Sequence, residues 1–195
     1  YLGLAQLGQE VIGSKKIKVY CMQRMFDFLS NNGPWDQLIK LQNITLEKIQ
    51  NELTIKLNSR ISITPILVPH RDEYSETVCY LVSTMKKKLL YIPDIDKWHL
   101  WDKDIKEMIK IVDYALLDGT FYQDGELSRD MSKIPHPFVK ESMMLFKDLS
   151  KQNKQKVFFT HLNHTNPLII KESKEQFEVK KLGFNFAMDN LVLGL

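Results

Sequence analysis

The chain predicts a mixed α/β fold, and three observations carry that prediction. Between residues 44 and 92, five short runs rich in Ile, Val, Leu and Thr follow one another, the pattern of successive strands. From residue 103 onward, amphipathic helix-length stretches alternate with short apolar runs, as in β-α-β units whose helices pack outside a sheet. The 195 residues are 44% hydrophobic and 26% charged, an ordinary globular composition on a chain long enough to bury a core. No linker, repeat or low-complexity tract divides the sequence, so a single domain over 1–195 is expected.

The elements follow in order. Residues 1–12 read as a helix stopped by Gly13, although no Ser, Thr, Asp or Asn caps its first turn. A short strand over 17–21 precedes a helix over 22–31 with Met25, Phe26 and Leu29 on one face, ended by Asn32-Gly33-Pro34. A short helix over 35–41 leads into strands at 44–49, 53–57, 61–68, 77–83 and 89–92. Turn clusters such as Asn58-Ser59-Arg60 and Lys86-Lys87-Lys88 separate several of them and predict partly antiparallel pairing. Residues 103–111 predict a helix, with Ile105, Met108, Ile109 and Val112 spaced for one buried face. A buried strand over 114–117 ends in Asp118-Gly119-Thr120. A helix over 137–150 places Phe138, Met144, Leu145 and Leu149 inward. A strand over 156–160, a helix over 174–181 closed by Gly183, and a strand or hairpin over 184–193 complete the chain.

Charge and composition exclude several classes. A net charge of +3 gives no strong attraction to nucleic acid or to an anionic membrane. No apolar run approaches the roughly 18 residues that a spanning helix needs. Cys21 and Cys79 lie far apart in apolar stretches and read as buried free thiols of a reducing compartment, which points to the cytoplasm. There is no G-x-S-x-G elbow, no phosphate-binding glycine loop, no dinucleotide fingerprint, no C-x-x-C and no H-E-x-x-H. The aromatics are scattered and offer no base-stacking platform.

What chemistry there is gathers at strand ends. The run over 61–69 passes into His70, the run over 89–93 into Asp94-Ile95-Asp96, the run over 114–117 into Asp118, and the run over 157–160 into His161. His136 stands just ahead of a helix in Ile134-Pro135-His136-Pro137. In layered α/β folds strand ends line the functional crevice. Imidazoles and carboxylates meeting there suit Zn²⁺, Mn²⁺ or Fe. Each residue also has a structural reading: a strand-end His as a hydrogen-bonded strut, Asp118 as a turn residue, Asp94 and Asp96 as helix caps.

The segments Val68-Pro-His-Arg-Asp-Glu-Tyr-Ser-Glu-Thr77, Ile92-Pro-Asp-Ile-Asp-Lys97, Leu117-Asp-Gly-Thr-Phe121, Ile134-Pro-His-Pro-Phe138 and Thr160-His-Leu-Asn-His-Thr-Asn-Pro167 together resemble the metallo-β-lactamase-fold hydrolase superfamily, in the branch of coenzyme PQQ synthesis protein B. The resemblance spans nearly the whole chain. It implies a four-layer αββα sandwich with one or two divalent metal ions at the rim between the sheets. By this resemblance His70, Asp94 and His161 take metal-ligand roles, His136 a catalytic role, and Asp118, His164 and Asn166 substrate-binding or ligand-orienting roles. The family's His-x-His-x-Asp-His cluster, which precedes a segment like Tyr1-Leu-Gly-Leu-Ala-Gln-Leu-Gly-Gln-Glu10, does not occur in the 195 residues, so a fold incomplete at its N-terminus is expected.

The implied activity is metal-assisted hydrolysis of a phosphodiester or other small ester-like substrate, an anionic small molecule, by hydroxide generated at the metal. Without the missing cluster, the chain itself is expected to be inactive. The alternative is a non-catalytic carrier or accessory protein of PQQ-like cofactor biosynthesis. A membrane or nucleic-acid partner is not expected, and a homodimer is left open.

Overall fold

A computed structural model describes residues 1–195, and the chain forms two compact units. The first comprises Tyr1–Leu53 and Arg71–Thr77, and the second Thr54–His70 and Val78–Leu195.

The first unit opens with a 3-10 helix, Leu2–Leu7, that buries none of its residues. Turns follow it, so the helix expected over 1–12 is shorter and of tighter type. Glycines at 3 and 8 weaken a longer helix, no side chain caps its first turn, and Val11 and Ile12, 61% and 63% exposed, gain no burial that would hold one. Strand β1 (Ile17–Cys21), helix α1 (Gln23–Asn31), helix α2 (Trp35–Lys40) and strand β2 (Ile44–Lys48) come next. β1 and β2 pair in parallel, Ile17 opposite Ile44, and α1 and α2 supply the crossover that parallel pairing requires. The Arg24 guanidinium donates to the carbonyls of Asp72 and Glu73 at 2.6 and 3.1 Å, which ties the 71–77 segment to α1.

The second unit holds a seven-stranded sheet in the order β3 (Ile55–Lys56), β4 (Ser62–Leu67), β5 (Val78–Ser83), β6 (Lys88–Ile92), β7 (Tyr114–Asp118), β8 (Val157–Thr160) and β9 (Asn185–Phe186). Pairing is antiparallel from β3 to β6 and parallel from β6 to β9. Connection length explains the change. The loop from β5 to β6 is a tight turn in which Thr84 N–H donates to the Lys87 carbonyl at 2.9 Å. The later strands are joined through helices α3 (Ile105–Lys110), α4 (Val139–Leu145), α5 (Lys151–Lys154) and α6 (Lys174–Lys181). Leu90, Ile92, Ala115, Leu117, Val157 and Phe159 are fully buried at alternate positions, so one face of these strands packs into the core, while Tyr91, Leu116 and Phe158 on the other face stay half-buried or exposed.

Two further expectations are corrected. The helix over 137–150 is broken after Leu145, because Ser150 caps a new helix by accepting from Asn153 N–H. Its buried stripe is Val139, Ser142, Met143 and Phe146, an i, i+3, i+4, i+7 spacing, while Met144 is 65% and Leu145 38% exposed. At the C-terminus only Asn185–Phe186 pairs with β8; a turn at 189–190 then carries the chain off the sheet. No helix is long and apolar enough to cross a membrane.

Candidate metal centre

The centre lies wholly within the second unit, where four strands end. His70 follows β4 by three residues and is fixed through its neighbour, Pro69, whose carbonyl accepts from Asp96 N–H at 2.7 Å. Asp94 and Asp96 follow β6, with fully buried Ile95 between them. Asp118 is the last residue of β7 and His161 the first after β8.

His136 arrives by a longer route. The loop from 119 to 138 folds over a small cluster of Phe121, Met131, Ile134 and Phe138. Val139 N–H donates back to the Phe121 carbonyl at 2.9 Å, and the Glu126 carboxylate accepts from the backbone of Tyr122 and Gln123. Pro135 and Pro137 flank His136 and stiffen its approach.

Three imidazoles each have Nδ1 committed to an oxygen. His70 Nδ1 meets Asp96 Oδ1 at 2.9 Å, His136 Nδ1 meets Asp118 Oδ2 at 2.8 Å, and His161 Nδ1 meets Thr120 Oγ1 at 3.0 Å. A carboxylate only accepts, so the first two rings carry the Nδ1 proton. The Thr120 hydroxyl spends its own proton on Asp118 Oδ1 at 2.7 Å, so it accepts from His161. In the neutral rings this leaves Nε2 free to ligate, the arrangement in which an outer carboxylate or hydroxyl orients a ligating imidazole.

Asp118 is the hub of this arrangement. Fully buried, it accepts from Thr120 N–H and the Thr120 hydroxyl through Oδ1, and from Ile95 N–H and His136 through Oδ2. Burial alone would lower the His136 pKa. The hydrogen bond and charge of Asp118, with the charges of Asp94 and Asp96, outweigh it and raise the value above 6.5.

Asp94 Oδ1 is buried and accepts no hydrogen bond. It lies 3.1 Å from His70 Nε2 and 3.4 Å from His136 Nδ1. In a neutral His70 ring with its proton on Nδ1 toward Asp96, a carboxylate lone pair and an imidazole lone pair face each other with no donor between them. A cation satisfies both at once, and ligand atoms of His70, Asp94 and His136 lie within 4.8 Å of one another. The residues therefore fit a divalent ion with nitrogen and oxygen ligands and at least one open position.

His161 stands outside that trio, its ring centroid 6.4 Å from that of His136. It adopts φ +60°, a left-handed conformation uncommon for a residue with a β-carbon. A cavity of about 380 Å³ opens beside it, lined by Thr160, Leu162, Ile169, Ala187, Met188 and Asp189. His164 is exposed. Asn166 is fully buried and turned into the fold: its amide donates to the Gly119 and Thr120 carbonyls at 2.6 and 3.3 Å, and its Oδ1 accepts from Leu168 N–H.

The sequence places Asp96 and Thr120 at strand ends but gives neither a role in the site. The Asp-x-Asp spacing at 94 and 96 was the available signal, since alternate residues of an extended segment share a face.

A mixed α/β domain whose strand ends carry a candidate metal centre is the class that these features define. The family model for the beta-lactamase superfamily domain matches residues 1–162, and the chain belongs to that family. Among curated relatives, coenzyme PQQ synthesis protein B of Acinetobacter baumannii (strain ACICU) is 22% identical over 92% of this chain and 65% of its own length. The protein of that name from Methylorubrum extorquens (strain PA1) is 27% identical over 88% of this chain and 60% of its own length. The chain thus spans 60–65% of these relatives.

Zinc-bound PqqB from Methylobacterium extorquens shares the fold with a TM-score of 0.79 at 22% identity, over 100% of this chain and 69% of that one. A diphosphatase of the PhnP family matches with a TM-score of 0.57 at 19% identity, over 100% of this chain and 66% of that one. Unliganded yeast PDE1 matches with a TM-score of 0.59 at 11% identity, over 96% of this chain and 62% of that one.

Proposed function

We propose that this chain carries part of the metal-binding rim of a metal-dependent hydrolase that acts on a phosphodiester or similar small anionic ester. The observation that carries the reading is the buried Oδ1 of Asp94, which accepts no hydrogen bond and lies 3.1 Å from Nε2 of His70. His70, Asp94 and His136 would hold the first ion, with His161 available through Nε2 to a second ion or to substrate. A bound Zn²⁺ or Mn²⁺ would polarise the scissile bond and lower the pKa of a coordinated water. Asp96 and Asp118 hold His70 and His136 in the tautomers that ligation needs. His136, where it does not ligate, can pass a proton to a leaving oxygen.

Charge supports the order of events. Asp94, Asp96 and Asp118 give the rim three carboxylates. An anionic ester is repelled from such a rim until a divalent cation has neutralised much of it.

The test is turnover of bis-p-nitrophenyl phosphate by the complete protein loaded with Zn²⁺ or Mn²⁺, against its Asp94→Ala and His136→Ala variants. Metal-dependent turnover that both variants lose supports the reading. Stoichiometric metal with no turnover of phosphodiester, phosphomonoester or carboxylic ester substrates overturns it. That second result favours a carrier or accessory role in PQQ-like cofactor synthesis, which the likeness to coenzyme PQQ synthesis protein B over 92% of the chain keeps in view.

A further inference from the structure

A second cavity, of about 440 Å³, lies between α4 and α6 and shares no residue with the metal centre. Lys154 and Phe184, which line it, precede β8 and β9, whereas the centre gathers where strands end. Met143 and Phe184, 4% and 2% exposed, form its floor, and Met144 and Leu182, 65% and 47% exposed, form its apolar lip. Lys140, Lys147 and Lys154 complete the lining together with a single acid, Glu178.

None of the three lysines forms an ion pair with a carboxylate. Lys140 sits over the Tyr122 ring at 5.5 Å and Lys154 over the Phe184 ring at 5.7 Å. Glu178 accepts from the Tyr122 hydroxyl at 2.7 Å, so its charge is engaged at one corner. The groove is therefore apolar at its base and carries a net positive rim. Its size is that of a small-molecule site.

The helix registers explain why the groove stays open. Lys140, Met144 and Lys147 share one face of the α4 segment, and Glu178 and Leu182 share one face of α6. A core-facing stripe would close between two helices. Here the cations hold the upper walls in water while thioether and aromatic carbon line the base.

We propose that this groove binds a small amphipathic anion, a molecule with a carboxylate or sulfonate head and a flexible alkyl or aryl body. The head would meet Lys140 and Lys147 while the body lies on Met143, Leu182 and Phe184. Methionine adapts to bodies of different shape, so recognition is by charge and apolarity rather than by one outline.

The experiment is calorimetric titration of the chain with decanoate and, separately, with decyltrimethylammonium, which carries the same alkyl tail under the opposite charge. Saturable one-to-one binding of decanoate, with the cation about tenfold weaker or worse, is expected. Lys147→Glu is expected to weaken decanoate about tenfold, and Met144→Glu to abolish it. Lys151→Glu, an exposed change outside the groove, leaves it unaltered. Equal binding of the two tails, or decanoate binding that Lys147→Glu does not change, overturns the proposal. So does an acidic peptide that binds this face and is not displaced by decanoate. Melting temperature and zinc content of each variant show that a loss is local.

Discussion

Asp94 Oδ1 lies 3.1 Å from His70 Nε2, and the imidazole's proton is committed on its other nitrogen to Asp96 at 2.9 Å. This pairing is the geometry that a candidate ligand set requires. In an ordinary pair the proton would stand between the two residues. In the neutral ring with its proton held toward Asp96, two lone pairs converge, and a cation satisfies both.

Removing Asp94 and removing Asp96 should therefore differ in degree. On the proposed reading Asp94→Ala deletes a ligand and should abolish whatever stoichiometric zinc the chain binds at micromolar metal. Asp96→Ala frees the His70 tautomer and should cost about 10–100-fold in zinc affinity. Zinc titration against a competing chelator measures both. Equal loss in the two variants would show that Asp96 does more than orient His70.

The metal-free chain should show a pH dependence of definite sign. The His136 pKa is raised in the folded state by Asp118, Asp94 and Asp96 against the lowering effect of burial. The charged ring therefore stabilises the fold fully below its unfolded value, and that contribution is lost as pH rises through the raised value. Zinc must displace the proton, so zinc affinity should rise over the same window. His136→Gln should flatten both profiles, read by urea midpoint and by zinc titration.

Asp118→Ala should destabilise the fold as well as the centre. It leaves the Ile95 and Thr120 amides without their acceptor in a fully buried place. A cost of about 2–5 kcal/mol is expected, since each orphaned buried donor costs roughly 1–3. Urea unfolding measures it, and a variant as stable as the wild type would remove Asp118 from the role of hub.

Gly119→Ala tests how closely β7 and β8 approach at the rim. A β-carbon there would stand 2.9 Å from Phe159 Cβ and 3.1 Å from the Thr160 carbonyl. The strand ends must separate, at about 1–3 kcal/mol, and His161 moves with them. Lower stability and weaker metal binding are expected together.

The two cysteines should be inert. Burial raises the Cys21 thiol to about 11 and the Cys79 thiol to about 12, and both are free. At about pH 8 a normal thiol is partly ionised, whereas these two are almost wholly protonated. Iodoacetamide should label both in denaturant and neither in the folded chain on the same timescale, read by intact mass.

Much of the centre was legible because strands announce where they stop. His70, Asp94, Asp118 and His161 each break an apolar run, and the structure sets each at a strand's C-terminal end. The nearness of His136 to Asp94 was not legible, since it depends on how the loop from 119 to 138 packs on Phe121 and Met131. The inward turn of Asn166 was hidden too: an Asn in a turn reads alike whether its amide faces a crevice or holds the backbone of Gly119. The phase of α4 was misjudged at Met144 and Leu145, because apolar residues on both faces of a short helix leave the period ambiguous.

The change of pairing at β6 predicts an order of assembly. Antiparallel hairpins close over short loops within about 1–10 μs, while parallel crossovers must first bring distant segments together and form more slowly. His70 and Asp94 belong to the early part of the sheet, and Asp118, His136 and His161 to the late part. The rim becomes whole only when the last crossovers are made. A cation held there would then be the seal on a finished sheet rather than a template for it, so added zinc should slow unfolding and leave the refolding rate unchanged.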